Sequence, residues 1–173
     1  MYDLDVTLVA VASPPRRGGV GCIRNSGPDA GAIAARLFRP AKGHAEGRLV
    51  FGRFLDRDGR PIDHGYRVEF PAGASFTGES TSELWPHGSP AVLAALVDAA
   101  IIAGATPAGP GEFTYRALRN GRLDLACAEA VRDLVAARTL YQARVAFAQA
   151  EGALSRRLAP LREGLADLIA RAE

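Results

Sequence analysis

Asn120-Gly121-Arg122-Leu123-Asp124-Leu125 divides the sequence into two parts of different character. Asn-Gly is a strong turn signal, because both residues tolerate positive φ. Asp124 then offers the short carboxylate of a helix N-cap. Downstream there is no period-two alternation. Leu125, Val131, Leu134 and Val135 supply the apolar face of one expected helix, and a second is expected from about Thr139. Within that second helix Leu154, Leu158, Leu161, Leu165 and Leu168 recur at alternating steps of four and three, a narrow seam for packing along another helix. Pro160 interrupts the seam and is expected to kink or restart the helix.

Upstream of the same stretch, strands and helices mix, so the fold class is α+β followed by an all-helical segment, with the boundary between residues 1–119 and 120–173. Residues 6–12 form a short, nearly all-apolar run, expected to be a strand buried on both faces. A turn-rich segment, residues 13–19, leads to a second expected strand over 20–24. Ser26 is positioned to cap a helix carrying Ile33, Ala34, Leu37 and Phe38 on one face, with Pro28 in its first turn. Residues 40–47 read as a loop. Residues 49–54 and 66–70 read as strands joined through Asp58-Gly59, the second with Tyr66, Val68 and Phe70 on one side. Residues 90–103 form a helix with Val92, Leu93, Leu96, Val97, Ala100 and Ile101 as its stripe and Gly104 at the C′ position.

Composition bounds the function. A chain of 173 residues with 48% hydrophobic and 23% charged residues is ordinary globular material. No apolar run approaches the ~20 residues that span a bilayer. The first five residues carry two acids and no base, so no secretory signal is expected. Cys22 and Cys127 lie far apart without metal-ligand spacing, which fits a reducing cytoplasm. Lys42 is the single lysine, which excludes a phosphate loop of the Gly-x-x-x-x-Gly-Lys-Ser/Thr type. His44, His64 and His87 have no spacing that suggests zinc, and His87 reads as a turn-capping residue before a ligand contact. Cys127, in the middle of an expected helix, reads as an inert buried thiol.

Three clusters remain. Residues 14–28 are Gly-rich and lead into a strand carrying Arg24. Phe76-Thr77-Gly78-Glu79-Ser80-Thr81-Ser82-Glu83-Leu84 follows a strand break. Pro110-Gly111-Glu112-Phe113-Thr114 runs through to the Asn120-Gly121 turn, where the two parts of the chain meet. Taken in this order, the clusters resemble the amino-terminal region of the MnmE (TrmE) family of tRNA-modification GTPases, and the resemblance covers essentially the whole chain.

The resemblance implies a folate-binding-like domain that forms a homodimer and holds 5-formyltetrahydrofolate or a related tetrahydrofolate. It further implies a helical domain interrupted by a Ras-like GTPase, to which GTP, potassium and magnesium belong. This chain would stop before that insertion, so GTP hydrolysis by it alone is not expected. With the flavoprotein MnmG (GidA), such proteins modify carbon 5 of the wobble uridine of tRNA in the cytoplasm. Arg24, Glu83 and Arg122 match the family's folate contacts. A carboxylate suits the paired N–H donors of a pterin edge, and Arg suits carbonyl or carboxylate groups, so Glu83 is assigned to the pterin.

The sequence departs from the family pattern at Arg16, Asn25, Ser80, Thr81, Ser82, Pro86 and Ser89. Polar residues at buried strand positions need partners, at a cost of about 1–3 kcal/mol each if none is found. Two other functional classes stay open: an assembly module whose folate pocket has decayed, and a stand-alone folate-dependent one-carbon transferase, for which no residue stands as general base. The leucine seam is expected to be partly exposed, since the family's covering helices come later in the chain.

Overall fold

The computed structural model describes residues 3–41 and 49–172. The chain forms two compact units, 1–116 and 117–173. The first is built on a seven-stranded mixed sheet in the order β3-β4-β5-β6-β2-β1-β7. Its strands are β1 (Leu8–Val11), β2 (Ile23–Ser26), β3 (Phe38–Pro40), β4 (Leu49–Leu55), β5 (Pro61–Phe70), β6 (Thr81–Trp85) and β7 (Thr106–Pro107). All neighbours pair antiparallel except β1 and β7. Helices α1 (Ala30–Arg36) and α2 (Pro90–Ile102) supply the apolar partners of one sheet face. The α+β class and the helical remainder are as the sequence predicts.

Alternation decides which face is buried. In β4, Val50, Gly52 and Phe54 are buried while Leu49 and Arg53 are exposed. Val50 and Phe54 join Ile23, Leu84, Ile33, Leu93 and Leu96 in the core. Gly52 and Gly65 pair in register in the same layer. A Cβ on Gly65 would lie 2.1 Å from the Trp85 carbonyl oxygen, and one on Gly52 would lie 2.5 Å from the Phe38 ring. Their bareness makes room for Phe38 and Phe54, whose ring centroids are 5.3 Å apart.

Several local expectations are corrected. Ser26 does not cap a helix: it ends β2, and the N-cap of α1 is Asp29, whose side chain makes no cap bond. The Thr7 hydroxyl instead accepts the Asp29 N–H at 2.9 Å. Phe38 and Pro40 belong to β3 rather than to the helix and the loop. Residues 42–47 of that loop, with Lys42 and His44, lie outside the described residues. β5 begins at Pro61, upstream of the expected strand. Gly104, with φ +112°, follows the α2 C-cap as expected.

The second unit is helical among its described residues: the end of α3 (Glu112–Arg119), then α4 (Leu125–Ala136), α5 (Leu140–Ala150) and α6 (Ala153–Ala172). Asp124 caps α4, accepting the Cys127 N–H at 2.8 Å, and its carboxylate also accepts the Ser155 hydroxyl. Cys127, Ala130 and Ala146 are the buried residues of α4 and α5. Leu125 and Val135, expected on the apolar face, are exposed. Thr139 opens α5 with a reciprocal capping box to Gln142. The expected single long helix is two, because the chain turns at Gly152, with φ +80°. Pro160 sits inside α6.

Candidate functional site

Antiparallel pairing of β2 with β6 sets Arg24 directly opposite Glu83, and directly opposed side chains share a sheet face. Arg24 reaches Oε1 of Glu83 through Nε at 2.8 Å and Nη2 at 2.7 Å. Two residues along β6, on the same face, the Trp85 indole N–H donates to the other oxygen at 2.9 Å. Phe76 and Phe113 flank the guanidinium, their ring centroids 6.0 and 5.7 Å from it. Between Arg24, Phe70, Phe76, Thr81 and Glu83 lies a cavity of about 180 Å³.

The loop between β5 and β6 walls this cavity and is tied down by hydroxyls. Ser75 Oγ donates to the Glu79 carbonyl at 2.6 Å, and Ser26 Oγ donates to the Glu79 carboxylate at the same distance. The single Ser26 hydroxyl hydrogen is thereby used, so its 2.7 Å contact with Thr77 has Thr77 as donor. The other Glu79 oxygen is held at 3.0 Å by Arg116, which is fully buried. Arg116 also donates to the Asp3 carbonyl at 2.9 Å. Glu79 is thus committed to holding the loop.

Cys22 immediately precedes β2, two residues before Arg24. Burial, and next the Glu83 charge, push its thiol from an ordinary 9.0 up to about 12. The polar departures meet different fates. Thr81 Oγ1 donates to the Glu79 carbonyl at 3.3 Å, and Ser82 Oγ donates to Glu69 at 3.1 Å. Asn25, fully buried, has no hydrogen-bond partner on either side-chain atom among the described residues. Burial raises the Glu69 carboxyl despite the bonds it receives.

His87 is bound to Asp63, its backbone N–H and its Nδ1 each 2.8 Å from a carboxylate oxygen. Burial works against the Asp63 charge, but these bonds and the His64 backbone N–H outweigh it and hold the carboxyl below its ordinary range. Of the three residues singled out in the sequence, Arg24 and Glu83 come together. Arg122 is an exposed residue of the second unit, on the turn ahead of α4, its backbone N–H bonded to the Ala117 carbonyl at 2.9 Å. Sequence reasoning missed Trp85 and Phe113; the i, i+2 spacing of Glu83 and Trp85 on one strand was the available signal for the first.

A mixed sheet with a charged pair on two central strands, continued by a helical unit, accords with the sequence comparisons. Residues 7–122 match the family described as GTP-binding protein TrmE N-terminus, and the chain belongs to that family. Among curated relatives it is similar to the tRNA modification GTPase MnmE of Koribacter versatilis, 46% identical over 97% of this chain and 38% of the relative. The proteins of the same name from Pseudomonas paraeruginosa and Thermus thermophilus are 45% and 42% identical, over 94% and 97% of this chain and 35% and 40% of theirs. The chain therefore spans little more than a third of the length of these relatives.

Proposed function

We propose that the chain is the amino-terminal module of a tRNA-modifying GTPase, its α+β unit binding 5-formyltetrahydrofolate or a related tetrahydrofolate and forming a homodimer. The reading extends to a flavoprotein partner, MnmG (GidA), to carbon 5 of the wobble uridine of tRNA, and to the cytoplasm. Among the described residues no helix is long and apolar enough to cross a membrane.

One observation carries the folate reading: a charge pair with aromatic flanks beside a small cavity. Arg24 and Glu83 offer donors and acceptors of the kind a pterin edge presents in complement, and Phe70 and Phe76 offer ring contacts. At about 180 Å³, the cavity is below the roughly 300–1,000 Å³ of a whole drug-sized site. It suits one ring system, with the remainder of a folate lying outside. Arg122 is the third proposed contact, with a carbonyl or carboxylate group. When bound, the folate would supply a one-carbon unit; the residues here would bind and orient it.

A second reading, an assembly module with a decayed pocket, is favoured by the bonding of Glu83. Its carboxylate has about four lone-pair sites, and Arg24 and Trp85 direct three N–H groups at them. A two-donor edge is read in full only when Arg24 releases one contact. Calorimetric titration with 5-formyltetrahydrofolate separates the readings: saturable heat supports the folate module, and its absence in a folded, dimeric chain supports assembly alone.

A further inference from the structure

Beyond the Arg24–Glu83 pocket, the same sheet face carries a second pattern. Registered pairs set Arg39 of β3, Arg53 of β4 and His64 of β5 in one transverse row. The next row contains Phe51, Tyr66 and Trp85 on β4, β5 and β6. Like charges directly opposite on neighbouring strands repel. Yet Arg39 and Arg53 are so placed, both exposed, and neither has an acidic partner among the described residues. The Asp63 carboxylate nearby is bonded to His87. A cavity of about 840 Å³ runs over this area, lined by Arg39, Phe51, Arg53, Asp63 and His64 among others.

The aromatic row is accessible where it leaves the basic one. Tyr66 is 44% exposed and Trp85 36%. The Phe51 ring packs edge-on against Tyr66, centroids 5.3 Å apart, which limits the motion of the Tyr66 ring. Exposed aromatic faces beside unpaired arginines form a platform for stacked bases and an attached phosphate chain.

We propose that this face binds single-stranded RNA, with bases stacked on Tyr66 and Trp85 and phosphates met by Arg39 and Arg53. A duplex keeps its bases stacked on one another and has no ring faces to give. Among the described residues, a second copy of the chain laid on this face brings no free carboxylate from it, since Asp63 and Glu83 are both bonded. Charge complementarity therefore favours a polyanion. The proposal shares with the preceding reading its tRNA and the Trp85 ring beside the folate pocket. Arg53 and Tyr66 lie outside the folate contacts, so loss of RNA binding in their variants is distinguishable from loss of folate binding.

The test is fluorescence anisotropy of a labelled, mixed-sequence single-stranded oligoribonucleotide titrated with the whole chain at several salt concentrations, with the same sequence as a duplex for comparison. Preferential binding of the single strand is expected, with altered emission from Trp85, the one tryptophan. Arg53→Ala should weaken binding and reduce the salt slope by about 0.7. Tyr66→Ala should lower affinity about fivefold or more, and Tyr66→Phe should retain it. Denaturation curves on the same samples confirm folding of the variants, and unchanged affinity in Arg53→Ala alone is decisive if Tyr66→Ala does not fold. Absent binding, equal preference for the duplex, or affinity unchanged in both Arg53→Ala and Tyr66→Ala overturns the proposal. So does loss of self-association on sedimentation with RNA binding intact, which would make the face a contact between copies.

Discussion

Arg24 directs two nitrogens at one oxygen of Glu83, 2.8 and 2.7 Å away, and the second oxygen is left to the Trp85 indole. This division of the carboxylate couples binding to the strand pair. Glu83→Gln replaces one acceptor by an amide donor, which must face Arg24 or Trp85, both donors. It is expected to weaken 5-formyltetrahydrofolate binding by on the order of 1.5–3 kcal/mol, about tenfold or more. Arg122→Lys should cost less than about 1 kcal/mol. Calorimetry that finds Glu83→Gln unchanged in affinity removes Glu83 as the pterin reader. Glu79 is then a poor substitute, because Arg116 and Ser26 already hold it.

Asn25 predicts a gain. Its amide is fully buried between Val9 and Ser82 in register, without a partner among the described residues. Asn25→Val removes two unanswered polar atoms and places a β-branched residue in a strand. The urea midpoint should rise, by about 1–3 kcal/mol in unfolding free energy. An unchanged or lowered midpoint would mean that the amide is satisfied in solution.

Cys22 predicts a loss at alkaline pH. Its folded pKa is raised, from 9.0 to about 12. The stability it contributes is therefore complete below pH 9 and is lost as pH rises towards 12. The slope for one such group is at most about 1.4 kcal/mol per pH unit. Comparing the chain with Cys22→Ala across this window isolates the thiol, since the remaining titrations are common to both. Parallel curves would refute the assignment.

The last helix predicts rapid exchange. Leu154, Leu158, Leu161, Leu165 and Leu168 are between 43% and 65% exposed in α6, so they gain little of the ~25 cal/mol per Å² that burial provides. Pro160 removes a backbone donor within the helix. Amides beyond Ser155 should exchange quickly in the isolated chain, as read by mass spectrometry. Strong protection there would indicate that the seam is covered in solution.

Legibility followed physical strength. The Asp124 cap and the end of strand patterning after Asn120 are local signals, and each recurs in the structure; of the α2 stripe, Leu93, Leu96 and Ala100 are buried while Ile101 is exposed. Ser26 misled because hydroxyl and amide groups are common at helix starts. Here Asn25 and Ser26 occupy a strand, and tertiary burial overrides their local preference. β5 was read short because Asp63, His64 and Gly65 break the alternation: Asp63 is bonded to His87, and Gly65 is bare to admit a neighbouring carbonyl. Gly152 was passed over just ahead of a heptad-like leucine pattern, although a residue at positive φ ends a helix more decisively than spacing continues one. At the site, Arg24 and Glu83 were found singly. Their pairing depends on the register of strands 59 residues apart in sequence, which no local pattern contains.

Arg116 has a consequence for how the chain is made. The strands are complete by Pro107, and the helices α1 and α2 precede that point. The loop that walls the Arg24–Glu83 cavity is anchored through Glu79 by a side chain that is synthesised later and that also grips the carbonyl of Asp3. During translation the sheet can therefore assemble while its cavity wall is still loose. At about 5–20 residues per second, the interval from Pro107 to Arg116 is on the order of a second. A chain halted with Pro107 outside the ribosome and Arg116 still inside it would display a nascent sheet with an unformed pocket and an untethered Asp3. Arg116 acts as a late fastener, joining the earliest residues of the chain to the loop that they cannot secure themselves.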